Sequence, residues 1–193
     1  MYHHAILFLC RDMPVHPLNL ELFCAINGSP DDGGEVLFWA QWCAENVIYL
    51  ILVLPLMACL VRRQDKWMVL VQVLGAVAGA LFLKHVIAEF YFHPRPFMLD
   101  VGHMLGTHDR TTSYPSAHGT LAFTVALGLC FAWRWLLGGV AVLLALAVAW
   151  SRIYLGIHFP FDMAAAFGVA LASNLLTLLV IRSFRQTRYV CED

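Results

Sequence analysis

Charge is what this chain has least of. Asp, Glu, Lys and Arg together make up 13% of its 193 residues, against roughly 25% in soluble domains. Apolar residues fill the gap at 61%, above the roughly 45–50% of soluble domains, and mean hydropathy is +0.71. These values exclude an ordinary soluble globule and predict an all-α integral membrane protein. A basic excess is lacking as well. The formal net charge is −1 and the pI about 6.7, so no broad positive field invites nucleic acid. The six cysteines contain no C-x-x-C pair, which disfavours a zinc or iron–sulfur framework. Most read as small apolar residues, with a Cys10–Cys24 disulfide as the less favoured alternative. Internal repeats and low-complexity tracts are absent. Ala5 to Cys10 is too short an apolar run for a signal-peptide core and has no basic leader, so targeting is expected to fall to the first true span.

What the chain does have is a series of long apolar runs. Val36–Val61, Trp67–Phe92, Gly119–Trp133, Trp135–Tyr154 and Met163–Ile181 predict a bundle of five transmembrane helices. Ahead of them, Leu18–Ile26 is too short to span and reads as a short N-terminal interfacial or re-entrant helix. The expected division is an outer-face segment at 1–34, a transmembrane domain at 35–183 and a cytoplasmic tail at 184–193. Gly75 and Gly79 show the small-xxx-small spacing that lets helices approach closely. Arg62, Arg63, Lys66, Arg134, Arg182, Arg185 and Arg188, seven of the twelve basic residues, fall on one side of such a bundle. That side is expected to be cytoplasmic, as is the C-terminus. The polar loop His93–His118 and the stretch Arg152–Asp162 then meet on the outer face.

Three clusters lie there. Tyr91-Phe92-His93-Pro94-Arg95-Pro96-Phe97 presents a guanidinium from a turn stiffened by two prolines, or else an arginine that snorkels to the headgroups. Ser113-Tyr114-Pro115-Ser116-Ala117-His118-Gly119-Thr120 leads into a helix N-terminus, where free N–H groups favour an anion. Alone, it reads equally well as a simple N-cap. Ser151 to Asp162 places Arg152, His158 and Asp162 between two apolar runs, where charge is costly and must serve chemistry or be paired. A cation for phosphate oxygens, an imidazole to attack phosphorus and a carboxylate to orient the imidazole make a set suited to phosphoryl transfer. The alternative is an Arg152–Asp162 salt bridge.

Taken together, Arg95-Pro96, Pro115-Ser116-x-His118 and Ser151-Arg152-x5-His158-x3-Asp162 resemble the motifs of the type-2 phosphatidic acid phosphatase superfamily, which includes membrane lipid phosphatases, haloperoxidases and soluble acid phosphatases. The resemblance implies that His158 is the nucleophile forming a phosphohistidine, that Asp162 holds its far ring nitrogen, and that His118 is the general acid and then the base. It implies that Arg95, Arg152, Ser116 and the Ala117–His118 backbone cradle the phosphoryl oxygens. It implies no metal or other cofactor, and the lack of a carboxylate cluster agrees. Two positions depart from the family pattern. Ala117 stands where Gly is common, and Ala88 stands where the first motif usually carries a lysine.

Lys84, one turn before Ala88, is a candidate substitute for that lysine. Depth along the helices also makes it a candidate partner for Glu45. Glu89 is either a second-phosphate or arginine partner or an interfacial residue. Among family members the chain looks most like bacterial undecaprenyl diphosphate phosphatases of the inner membrane, with the site facing the periplasm. The expected partners are a polyprenyl diphosphate or other lipid phosphate and the membrane lipids, with oligomeric state left open. Alternatives within the class are a phosphatidylglycerophosphate or phosphatidate phosphatase, or a lipid A phosphotransferase. From another class, His85 with His93, His103 and His108 would mark a haem-binding or transporter subunit, and an inactive scaffolding member is a third reading.

Overall fold

A computed structural model describes residues 15–61 and 66–190. Cys10, Arg62 and Arg63 lie outside them. All regular structure among the described residues is helical: α1 (Pro17–Ile26), α2 (Gly34–Val61), α3 (Lys66–Phe90), a 3₁₀ turn (Pro96–Leu99), α4 (Ala117–Phe131), α5 (Trp135–Tyr154) and α6 (Pro160–Val190). Four of these, α2, α3, α5 and α6 over Pro160–Phe184, are long and apolar enough to cross a membrane. Their lipid-facing character is plain in Leu60, Val61, Leu74, Leu136, Leu143 and Leu176, all exposed on the bundle exterior.

α4 is the exception in length, and its position accounts for it. Its 15 residues rise about 22 Å, short of a hydrocarbon core of roughly 30 Å. It packs against α2, α3, α5 and α6, so its neighbours rather than lipid surround it. Small residues allow this close fit. A Cβ at Gly128 would come within 3.1 Å of Val73, and one at Gly119 within 2.9 Å of the Met163 sulfur. The Gly75/Gly79 pair serves the α3–α6 contact in the same way. Added methyls there would lie 3.0 Å from Thr177 and 2.6 Å from Ser173.

Polar side chains tie the same helices together. Asn174 on α6 donates to the Thr124 carbonyl of α4 at 3.1 Å, and Gln72 on α3 donates to Asn174 Oδ1 at 3.1 Å. Ser173 donates to the Ala76 carbonyl at 2.7 Å. Bonds of this kind hold membrane helices by about 0.6 to 2 kcal/mol each. Their sum is modest, but they fix rotation about each helix axis, which greasy packing does not.

Chain direction brings the C-terminal ends of α3 and α5 and the N-terminal ends of α4 and α6 to one end of the bundle. Lys66, Arg134 and Arg182 are at the other. α1 and the residue that follows it, Asn27, close over the first end. Phe23 is buried edge-on against Phe159 with ring centroids 5.2 Å apart. Asn19 Oδ1 accepts from the Phe161 N–H at 2.9 Å and so caps α6. Asn27 donates to the carbonyls of His103 and Tyr154, both at 2.9 Å, and accepts from the His103 N–H at 2.7 Å. Thus one amide fastens three segments. α6 runs on to Val190, well past the expected limit at Ile181.

Candidate active site

Between α5 and α6 the chain has only Leu155 to Phe159 in which to turn. Gly156 makes the turn possible, with φ +73° and no room for a side chain: a Cβ would sit 2.2 Å from the His103 carbonyl oxygen. The bend sends His158 inward, and the His158 and Ile157 N–H groups both donate to the Arg152 carbonyl, at 3.3 and 3.1 Å. Asp162, one turn further on, lies in the first turn of α6 and is fully buried. Its Oδ2 accepts from the Phe159 N–H at 2.8 Å and stands 3.4 Å from His158 Nδ1. Ser113 joins this pair. Its hydroxyl donates to Asp162 Oδ2 and lies 3.1 Å from His158 Nδ1. An Nδ1–H tautomer satisfies all three groups and leaves the Nε2 lone pair of His158 for attack.

Arg95 faces that lone pair. Its Nη1 is 3.1 Å from His158 Nε2 and donates to the Ile157 carbonyl at 3.2 Å. The rest of the fork donates to the Thr111 carbonyl at 3.0 Å, and to the Thr111 hydroxyl and the Thr112 carbonyl, both at 3.2 Å. At 4% exposure Arg95 is no snorkelling residue. Burial lowers its pKa to about 10, with Asp162 opposing and Arg152 reinforcing, so it is a cation at neutral pH.

Arg152 is 7% exposed. It makes no ion pair with Asp162; its Nη2 donates to the Ala44 carbonyl at 2.9 Å, and Glu45 is the carboxylate near enough to act on its charge. Its Nε is buried without a partner. An orphan donor of this kind is costly unless a ligand meets it, and a phosphate oxygen fits. Ser116 caps α4 by accepting from the Gly119 N–H at 3.3 Å, so its own O–H stays available. The cap and anion readings are therefore compatible. Ala117 is exposed at the helix start. His118 is half-buried within electrostatic reach of Arg152, His158, His108 and Arg95.

Six expected residues thus converge: Arg95, Ser116, His118, Arg152, His158 and Asp162. Others do not. Among the described residues, neither Lys84 nor Glu89 forms a hydrogen bond or ion pair with them. The expected Glu45–Lys84 pair is not formed either: Glu45 is exposed on the side of Arg152, and Lys84 is half-buried elsewhere on its helix. Residues at equal depth need not share an azimuth. His85 is exposed, and among the described residues no group of three or more His, Cys, Asp or Glu side chains could hold a metal ion.

Sequence reasoning missed Ser113, His93, the Thr111–Thr112 pair and the placement of His108, whose ring lies edge-on to His158 with centroids 6.3 Å apart. The stretch containing Ser113 was visible, but its partner is 49 residues away, and nothing local marks it. An apolar groove of about 350 Å³ begins beside Met163 and is lined further by Phe123, Leu127, Val142, Leu146 and Phe167.

Burial pushes the His158 imidazole down to about 4; Asp162 opposes the shift, and Arg95 and Arg152 add to it. A lowered pKa favours the neutral ring, so Nε2 keeps its lone pair down to pH near 4 instead of losing it near 6.5. The expected result is a ¹⁵N-histidine titration in detergent in which the His158 signal, assigned with His158→Gln, stays neutral at pH 5.5. Half-protonation near 6.5 would contradict it.

The chain is 35% identical over 147 residues to the Escherichia coli (strain K12) protein named "Putative undecaprenyl-diphosphatase YbjG", covering 76% of this chain and 74% of that one. It is 29% identical to "Undecaprenyl-diphosphatase BcrC" of Bacillus subtilis (strain 168), covering 82% of each. The crystal structure of Aquifex aeolicus LpxE superposes with a TM-score of 0.66 at 25% identity, over 84% of this chain and 96% of that one. Residues 69–186 match the family described as the PAP2 superfamily. With that match across most of the bundle and the site residues inside it, the chain belongs to the PAP2 superfamily.

Proposed function

We propose that this membrane protein removes the terminal phosphate of undecaprenyl diphosphate at the outer face of the bacterial inner membrane, through a phosphohistidine and without a metal ion. The carrying observation is His158: its Nδ1 is tied to Ser113 and Asp162 and its Nε2 faces Arg95. In the first step Nε2 bonds to the terminal phosphorus and the bond to the bridging oxygen breaks. The electron pair leaves on that oxygen, and His118 supplies a proton to the departing lipid monophosphate. Arg95, Arg152, Ser116 and the first N–H groups of α4 take up the charge that moves onto the equatorial oxygens. In the second step His118 takes a proton from water, the hydroxide attacks phosphorus, and phosphate leaves with Nε2 restored.

α4 is the fifth span in this reading, short because protein encloses it. The basic end of the bundle, with Lys66, Arg134 and Arg182, is cytoplasmic by the positive-inside rule, which sets the site outside. Leu18 and Leu22 on α1, both exposed, rest at the headgroup level. The groove beside Met163 takes the first prenyl units. The names of the two undecaprenyl-diphosphatase relatives support the choice of lipid. The test is phosphate release in detergent with EDTA, comparing undecaprenyl diphosphate, phosphatidylglycerophosphate and phosphatidate. The diphosphate is expected to show the highest kcat/KM with EDTA present. A preference for either phospholipid by tenfold or more, or loss of release on chelation, would overturn the assignment.

A further inference from the structure

Asp162 is faced by two imidazoles. Its Oδ2 is occupied by Ser113, the Phe159 N–H and His158. Its Oδ1 has no conventional hydrogen bond, and the charged or polar ring that approaches it is His93, with Nδ1 at 3.5 Å. His93 Nδ1 is buried and has no other partner. The residue itself is 8% exposed and Asp162 fully buried. These two atoms therefore have only each other among the described protein groups, in a place where an unmet polar atom is costly.

The approach is built in. The His93 N–H donates to the Thr112 hydroxyl at 3.1 Å, and the His93 carbonyl accepts from the Ser113 N–H at 2.8 Å. The segment that carries His93 is thus bonded to the one that supplies Ser113 to the same carboxylate. Aromatic rings then fix the imidazole plane. Tyr91 stacks with centroids 6.1 Å apart, Phe159 meets it edge-on at 5.7 Å, and Tyr114 lies at 6.2 Å. Arg95 is two residues on, so the stiff turn that presents the arginine to phosphate presents this histidine to the carboxylate. On this side lies a cavity of about 520 Å³, lined by His16, Tyr91, Tyr114 and Phe161 as well as His93 and Asp162, and by neither arginine nor His158. His93 thus meets Asp162 away from the phosphate cradle.

We infer that His93 is a positioning residue whose Nδ1–H donates to Asp162 Oδ1, holding the carboxylate so that Oδ2 stays turned to Ser113 and His158. It touches no substrate. With the bond in place the carboxylate cannot swing toward the cavity, and His158 keeps the tautomer with Nε2 free. This rests on the reading of His158 as nucleophile.

The experiment compares His93→Phe, which keeps the ring packing and loses the donor, with His93→Asn, whose amide nitrogen falls near the place of Nδ1. His93→Phe is expected to lower kcat on the order of 10- to 100-fold, the usual cost of losing an orienting partner, with KM within about twofold of the parent. His93→Asn is expected to recover most of the loss. Should His93→Phe fail to fold in detergent, His93→Leu replaces it against His93→Asn. Wild-type kcat in the donor-free variant, or equal loss in both variants, would overturn the inference. Labelling of His158 by ³²P-substrate separates the two readings. Absence of label in the parent enzyme sinks the nucleophile assignment. Label that forms at the parental rate in both variants sinks only the role of His93.

Discussion

Phosphate release from undecaprenyl diphosphate is expected to fall by roughly 10⁴-fold or more in His158→Ala, in line with the loss of a nucleophile from a coupled catalytic unit. The size of the effect follows from how little else in the site can attack phosphorus. In the proposed mechanism His118 serves the leaving group, and Ser113 has its hydroxyl committed to Asp162. Ser116 can donate, but among the described residues its hydroxyl is not hydrogen-bonded to a base. The fold should survive. Asp162 keeps the Ser113 hydroxyl and the Phe159 N–H, so no carboxylate is left bare, and the melting temperature in detergent serves as the control. Retention of a tenth of the parental rate in a folded variant would rule out His158 as nucleophile.

Arg95→Lys is expected to cost nearly as much, although it keeps the charge. The guanidinium holds four separate groups, namely the Thr111 carbonyl and hydroxyl and the carbonyls of Thr112 and Ile157, while one nitrogen still faces His158. An ammonium is a single point with no planar fork and cannot do both tasks. Loss of one preorganised donor in a transition-state cradle typically costs about 10²- to 10³-fold in rate. The expected outcome is a fall in kcat of that order, together with a lower melting temperature as the loop from Thr111 to Ser113 loosens from Ile157. Parental kcat with only a raised KM would show that Arg95 binds ground state and transition state alike.

The lines of this fold and site were unevenly legible in the chain. Hydropathy marks where lipid begins and ends, so the long runs at α2, α3 and α5 were visible to within a few residues. It does not mark where a helix ends. α6 continues through Arg182 and Gln186 to Val190 because arginine and glutamine are good helix formers outside a membrane as well as at its edge. Length arithmetic also cannot tell a helix wrapped by protein from one wrapped by lipid, which is why α4 was expected to look like its neighbours. The proposed catalytic residues were readable because each sits in a short stretch with its own signature, as with His158 and Asp162 four apart at a helix start. Their supports were not. Ser113, His93 and Asn27 act on partners far along the chain, and a lone serine, histidine or asparagine in a loop carries no sign of that. The expected Glu45–Lys84 pair is not formed, and its premise was depth alone: depth follows from counting residues, but which way a side chain faces does not.

In the proposed mechanism a covalent bond forms between phosphorus and His158 Nε2. Its most direct test is acid-quench trapping with undecaprenyl diphosphate carrying ³²P in the terminal phosphate, followed by peptide mapping. Label is expected on the peptide containing His158, stable in base, lost in mild acid and absent from His158→Ala. Turnover with no such label at any quench time, or label that persists in His158→Ala, would contradict it.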